Sequence, residues 1–341
     1  MKKPLAIIFN DVHLKPGNEK EILSAFNFML DEADIRGISR FIFAGDLFDS
    51  RTQQKQEVLL TLDTMLSELS NRGMSIDIIP GNHDKTLYAS YDSFLDIYSH
   101  YPDVTLWRDI SDIEIDGISI TLLPFFSDDM LIPMLDEHKG SDVLISHFEM
   151  AGSTNLGRTS EKTSINQKML KKWKKTYLGH YHNYHEITKD IVHLPSFIPA
   201  SFGEDNNKGF SVLYNDLSYE LVHGRFREYN KIEVNLDNTN ITEIKALIKT
   251  HENKSDSIRF EFTGPESKLK ALDKNLFKGT GIDIKIKYEQ KFSYDETDTQ
   301  PPTIIERYNK SDIQDTFKSF CEEKGYKYQE GKALLDEFFK Q

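Results

Sequence analysis

IDIIPGNHDKT, residues 76–86, starts as an apolar β-type run, stops at Pro80-Gly81, and then presents Asn82, His83 and Asp84 in successive positions. Pro-Gly is a turn signal, and turns accept polar residues. Alternatively, a rigid buried strand is aiming an amide, an imidazole and a carboxylate at one point. The chain on either side decides between the two. Residues 5–9 form a short apolar strand pattern. Asn18, with Glu21 three positions on, has the spacing of a capping box. It opens a helix whose apolar positions are Ile22, Leu23, Phe26, Met29, Leu30 and Ala33, closing near Gly37. Residues 41–44 read as the next strand and residues 57–69 as the next helix, ended by Gly73. Such β-α-β-α-β order predicts a mainly parallel sheet whose ligand site lies beyond the carboxyl ends of its strands.

Near residue 110 the pattern changes. Residues 113–115 and 118–120 flank Asp116-Gly117, a two-residue hairpin turn, residues 143–145 read as a buried strand, and residues 210–214 and 219–222 as a second hairpin. The fold class expected is α/β, with two packed mixed β-sheets flanked by helices in residues 1–228. A compact α+β unit follows in residues 229–292, from strand 232–234, helix 241–250, strand 257–262, a helix from Pro265 and strand 282–288. Residues 293–341 comprise a polar linker containing Pro301-Pro302 and a helical tail carrying Phe317, Phe320, Phe338 and Phe339.

Composition sets outer bounds. The chain has 341 residues, 38% hydrophobic and 28% charged, which suits a soluble globular protein. The short apolar run after Lys3 is too brief for a signal-peptide core or a membrane span. One cysteine, Cys321, excludes an internal disulfide and a zinc-cysteine site, so a reducing cytoplasm is the expected setting. A formal net charge of −13 repels nucleic acid over most of the surface, so any such role needs local basic groups, metal ions or a partner. No G-x-x-x-x-G-K-[ST] loop is present, so the chain should not hydrolyse ATP by itself.

The chemistry lies at the strand ends. They carry Asp11-Val12-His13, then Gly45-Asp46-Leu47-Phe48-Asp49, then Gly81-Asn82-His83-Asp84, then Ser146-His147, and finally Gly179-His180-Tyr181-His182. One strand-end Asp or His is commonly a cap; five in this order are hard to explain as caps. Four histidines, two aspartates and an asparagine, with no thiolate, suit borderline divalent ions such as Mn²⁺, Fe²⁺ or Zn²⁺. Seven ligands exceed the needs of one ion. Two ions ~3.5–4 Å apart, sharing a carboxylate, would use them and would clamp a phosphoryl oxygen.

D-x-H, G-D-x-x-D, G-N-H-D, a single histidine and G-H-x-H, in this order, resemble the calcineurin-like metallophosphoesterase superfamily. Within it, residues 45–49 and 80–84 resemble the SbcD nuclease family, whose eukaryotic relative is the meiotic-recombination-eleven nuclease. ASFGEDNNKGFSVL, residues 200–213, is similar to the segment closing the nuclease domain of that family. The matches span residues 9–213. Beyond them the chain resembles the family only in size, order and pattern, and its shortness resembles the phage members.

The resemblance implies that Asp11, His13 and His182 hold one metal and Asn82, His147 and His180 the other, with Asp46 bridging and Mn²⁺ the leading candidate. It implies that His83 stabilises the transition state and protonates the leaving oxygen, with the Asp49 carboxylate orienting it. Asp84 reads as a turn stabiliser, Tyr181 as structural with stacking on a nucleobase as the alternative, and His185, His193 and His223 as packing or surface groups. The implied activity is 3′-to-5′ digestion of duplex DNA and cutting of single strands. Implied partners are DNA, a coiled-coil ATPase of the SbcC type docked on the tail, and a second copy meeting through residues 57–69 and 90–98. No membrane is expected, and the compartment is the cytoplasm, a host's if the chain is phage-encoded. The rivals are a small-molecule phosphodiesterase or phosphatase of the same fold and a catalytically silent scaffold. The lysine-rich residues 168–176 read as a solvated helix face, with contact to the DNA backbone as the alternative.

Overall fold

In the computed structural model, residues 2–155, 158–159, 163–224, 226–252 and 254–288 are described, with 317, 318, 321, 328, 329 and 332 beyond them. The linker, and most of the tail with Phe320, Phe338 and Phe339, lie outside the described residues. Residues 1–288 form one compact unit and residues 289–341 another.

Alternation along the first strands sets the layers. In β1 (Pro4–Phe9), Ile7 and Phe9 pack toward helices while Ala6 and Ile8 pack toward a second sheet. In β2 (Arg40–Ala44), Phe41 and Phe43 take the helix side and Ile42 and Ala44 the other. A strand buried on both faces needs apolar side chains at both parities, which is why these read as continuous apolar runs. α1 (Glu19–Arg36) and α2 (Gln56–Asn71) cover the outer face. β3 (Ser75–Ile79) and β4 (Val104–Leu106) extend the parallel set β1-β2-β3-β4.

The second sheet runs through β5 (Ser111–Ile115), β6 (Ile118–Leu123), β7 (Val143–Ser146), β10 (Lys175–Leu178), β11 (His185–Thr188) and β12 (Ile191–His193), in the order β11-β12-β10-β7-β6-β5. Between β7 and β10 lies a small hairpin of β8 (Thr154–Asn155) and β9 (Arg158–Thr159). Asp116 and Gly117 sit at φ 48 and 81, the two left-handed residues that the β5–β6 turn requires. α3 (Asp128–Glu137) and α4 (Gln167–Leu170) cover its outer face. β13 (Gly209–Tyr214) and β14 (Tyr219–His223) return to the first sheet, β13 lying antiparallel to β1. The two-sheet sandwich flanked by helices is the architecture expected from sequence.

A smaller unit has its own core. β15 (Tyr229–Asn235), α5 (Ile241–His251), β16 (Ser257–Thr263), α6 (Glu266–Lys270) and β17 (Asp283–Ile286) make a parallel three-stranded sheet with Phe260, Phe262 and Phe277 at its centre.

Two local expectations fail. The Asn18–Glu21 capping box does not form. Asn18 Oδ1 accepts from Lys15 N at 2.9 Å, its amide donates to His13 O at 3.0 Å, and Glu21 accepts from Arg227 at 2.8 Å. The side chain serves the loop carrying His13 instead of the helix. Lysines 168–175 do not make a helical basic face. α4 ends at Leu170, Lys172 Nζ donates to the carbonyls of Asp136 and His138, and Lys174 and Lys175 pair with Asp142 and Asp190.

Candidate metal centre

Asp11, Asp46, Asn82, His147 and His180 follow β1, β2, β3, β7 and β10, and these strands end at one edge of the sandwich. The loops after β1 and β2 stay zipped past the sheet: Asp11 N donates to Gly45 O, Val12 N to Asp46 O and Leu14 N to Leu47 O, at 2.8–2.9 Å. Asp11, His13, Asp46 and His180 adopt left-handed backbone, φ 50, 47, 61 and 85. That conformation costs ~1–3 kcal/mol for a non-glycine residue and gathers at functional sites. Gly81 answers a packing demand, because a Cβ there would overlap the carboxylate and N–H of Asp46. Asp84, fully buried, accepts four main-chain N–H bonds, from Asp46, Leu47, Phe48 and Gly81, at 2.8–3.1 Å. Its turn-stabilising role thus spans two strand ends. Burial and the Asp46 charge push Asp84 up to about 6, while its N–H donors favour the carboxylate.

The seven expected ligand residues converge in two adjoining clusters. Asp11 Oδ1 lies 3.7 Å from both His13 Nε2 and His182 Nε2, which are 3.0 Å apart. Asp46 Oδ2 lies 3.2 Å from His147 Nε2 and 3.8 Å from His13 Nε2, so it faces both clusters. Asn82 Oδ1 lies 3.2 Å from His147 Nε2 and 3.0 Å from His180 Nδ1. The triples Asp11/His13/His182 and Asp46/His147/His180 each bring their ligand atoms within 4.8 Å of one another.

The chemistry of this donor set fits a cation. His147 Nδ1 must donate to Ala44 O at 2.8 Å, because a carbonyl only accepts. Its Nε2 lone pair therefore faces Asp46 Oδ2 and Asn82 Oδ1, acceptor against acceptor. Without a cation, relief comes from a proton or from rotation of the Asn82 amide. Burial opposes that charge on His147, but Asp46 and Asp11 override it and lift the imidazole to about 9. Asp11 Oδ1 is buried without a hydrogen-bond partner, beside three histidine nitrogens. Burial works against the charge on Asp11 and Asp46, yet the surrounding histidines hold both well below the usual carboxylate range. Asn82 can turn over. Its NH₂ would then donate to His147 and His180, and its oxygen would accept from Arg51 at 2.6 Å. The orientation with oxygen inward is the one a cation requires.

His83 sits at the rim, partly buried, its ring 4.7 Å from that of His13. Its Nδ1 donates to the main-chain carbonyl of Asp49 at 2.7 Å, and its Nε2 accepts from Arg51 Nη2 at 2.8 Å. The contact expected from the Asp49 carboxylate is absent; that carboxylate pairs with Lys15 at 3.1 Å. The backbone of the same residue does the orienting. His83 also forms a triple with His13 and Asp46. With both ring nitrogens engaged, ligation would break one of those bonds.

Three groups were missed by sequence reading. Arg51 lies two positions after Asp49 and also bonds Tyr88 Oη. It helps line a cavity of about 560 Å³ with Asn82, Tyr88, Phe125 and His180. Glu204 accepts from His182 Nδ1 at 3.0 Å, and Lys208 donates to His182 O at 2.6 Å. The spacing G-D-x-x-D-x-R could have flagged Arg51, whereas Glu204 and Lys208 lie within the quoted segment 200–213, where sequence reading gave neither a role. His193 is a packing group, buried between Gly179 O and Ser153 Oγ, at 3.0 Å from each. No helix among the described residues is long and apolar enough to cross a membrane.

A family model described as calcineurin-like phosphoesterase matches residues 6–234. Exonuclease subunit 1 of Enterobacteria phage T4 is 23% identical over 181 residues, covering 51% of this chain and 52% of that protein. The chain thus spans about half the length of that curated relative. Among solved structures, a Pseudomonas putida nuclease (MPE) is 13% identical with a TM-score of 0.29, over 56% of this chain and 67% of that one. A protein of unknown function from Aquifex aeolicus is 14% identical with a TM-score of 0.28, over 47% and 82%. Likeness at those scores carries no argument.

Proposed function

Because the chain belongs to the calcineurin-like phosphoesterase family, we propose that it is a two-metal DNA nuclease, the hydrolytic subunit of an SbcCD-like repair or recombination complex. The observation carrying this reading is the convergence of four histidines and Asn82 on Asp11 and Asp46 at one sheet edge. Asp11, His13 and His182 would hold one divalent ion and Asn82, His147 and His180 the other, with Asp46 between them. Mn²⁺ suits this mixture of imidazole and carboxylate. Such ions supply Lewis acidity to a phosphoryl oxygen and make water a better nucleophile at neutral pH.

The protein groups do the rest. His83 is held from behind by the Asp49 carbonyl with Nε2 outward. Once Arg51 leaves that nitrogen for the phosphate, Nε2 takes a proton from solvent and delivers it to the leaving ester oxygen as the P–O bond breaks, while the attacking water gives up its own proton to solvent. Arg51, now on that nitrogen, is placed to take a non-bridging phosphoryl oxygen. On so acidic a chain, this local cation at the metal rim is what a phosphate would meet. The name of the phage relative, an exonuclease subunit, supports a nucleic acid as substrate, as does the α+β unit beside the sandwich, which a small-substrate phosphatase would not need.

For partners, we propose an SbcC-type ATPase bound to the tail and a homodimer through α2 and the 3₁₀ turn Phe94–Tyr98. Tyr98 Oη donates to Leu59 O, joining the two elements, and Leu60 and Ile97 are each more than half exposed. The test is Mn²⁺-dependent digestion of end-labelled duplex DNA and of bis(p-nitrophenyl) phosphate, with and without co-purified ATPase. Digestion of DNA, enhanced by ATPase and ATP, is expected. Cleavage of the small diester with DNA left intact would replace the nuclease by a small-molecule phosphodiesterase, and cleavage of neither would leave a scaffold.

A further inference from the structure

We propose that residues 200–208 are a positioning strut that fixes the orientation and tautomer of His182 and ties them to the seating of the α+β unit. This rests on the reading of His182 as a metal ligand. The strut grips both halves of that residue. Glu204 Oε1 accepts from His182 Nδ1 at 3.0 Å, and since a carboxylate only accepts, the Nε2 lone pair is left facing the Asp11 side. The His182 carbonyl accepts from Lys208 Nζ at 2.6 Å and from Ser196 N at 2.9 Å. Lys208 Nζ also donates to Asn183 Oδ1 at 2.9 Å and lies 3.5 Å from Glu204 Oε2. Ser201 Oγ, at 3.1 Å, and Ala200 N, at 3.3 Å, complete the set of donors around the Glu204 carboxylate.

Burial makes this arrangement expensive. The Lys208 side chain is 0% exposed and that of Glu204 5%. A connection serving only to reach β13 has no need to desolvate an ion pair. Burial opposes the Glu204 charge, yet His182 and Lys208 hold its carboxyl below the ordinary range.

The opposite side of the strut is fastened to the α+β unit. The Phe202 ring meets Tyr229 of β15 edge-on, centroids 5.1 Å apart, and the guanidinium of Arg259 on β16 lies 4.1 Å from its face. Asp283 of β17 holds Arg259 at 2.6 Å, and Asn206 Oδ1 accepts from Tyr229 N at 2.9 Å. A displacement of this sheet therefore acts on Phe202, and through two residues of chain on Glu204 and His182.

The experiment uses the full-length chain. Histidine ¹⁵N NMR of the metal-free protein reads the His182 tautomer, and calorimetric titration reads Mn²⁺ binding. Wild type is expected to show a single His182 tautomer with the proton on Nδ1. Glu204→Ala should weaken one Mn²⁺ step by ~10–100-fold, with activity recovering at saturating Mn²⁺. Glu204→Gln keeps an acceptor and should rescue most of the affinity. Phe202→Ala should weaken the same step by a smaller factor. A wild-type isotherm and tautomer in Glu204→Ala would overturn the strut, and an unchanged isotherm in Phe202→Ala would remove the link to the α+β unit. Should Glu204→Ala fail to fold, a mixture of His182 tautomers in the wild type would still overturn the proposal. Absence of Mn²⁺ binding in the wild type would refute the metal assignment instead, and the tautomer would still test the strut.

Discussion

His83 and Asp49 show how a single position can be right in place and different in means. The imidazole is oriented from residue 49, but through its carbonyl, leaving the carboxylate to Lys15. Asp49→Asn is therefore expected to keep His83 in place and to change turnover by less than about tenfold, well inside the ~10²–10⁴-fold that a general acid contributes. His83→Ala should lose activity across that full range while retaining its metals. Metal analysis and turnover on one diester substrate check both. An ion lost with the imidazole would make His83 a ligand, and an Asp49→Asn defect as large as that of His83→Ala would restore the carboxylate to the mechanism.

At the scale of elements, the centre depends on loops that two strand ends share. Asp84, from the loop after β3, binds N–H groups of Gly81 in its own loop and of Asp46, Leu47 and Phe48 in the loop after β2. Removing that acceptor strands four buried donors, each costing ~1–3 kcal/mol when left unsatisfied. Asp84→Ala should thus lower stability by at least about 3 kcal/mol and loosen metal binding with it. Urea unfolding with an unchanged slope reads the stability directly. A loss under about 1 kcal/mol would show that water replaces the carboxylate and that the clamp is dispensable.

The whole molecule divides into Met1–Tyr288 and Glu289–Gln341, and all proposed ligands fall in the first. Deleting residues 311–341 is expected to leave basal Mn²⁺ nuclease activity nearly intact and to abolish ATP-stimulated digestion of long duplexes, since an amphipathic aromatic segment gains most from a partner groove. Phe317 and Tyr328 lie 5.8 Å apart within this unit. Co-purification decides: a truncated chain that still holds the ATPase would refute the docking. For self-association, Leu60→Asp with Ile97→Asp should convert a dimer to a monomer in light scattering, because each substitution places a charge in an apolar contact. A wild-type monomer at micromolar concentration, alone and with the ATPase, would end the dimer proposal.

Sequence by itself determined the layers and which polar side chains gather at one sheet edge. Near-continuous apolar runs in β1, β2 and β3 forced strands buried on both faces, and a parallel sheet delivers whatever follows each strand to one edge. The convergence of Asp11, His13, Asp46, Asn82, His147, His180 and His182 at one edge was legible because that rule needs no coordinates. Tertiary structure alone decided which acceptor each imidazole faces. His83 and His182 resemble each other in sequence as strand-end histidines, yet one rests on a main-chain carbonyl and the other on Glu204. Those partners arise from contacts across 34 and 22 residues of chain. Local pattern carries no information about such pairs, because what fixes them is the packing of separate loops. The Asn18 capping box failed for a related reason: its geometry was available, but the loop bearing His13 offered the same side chain a better set of partners.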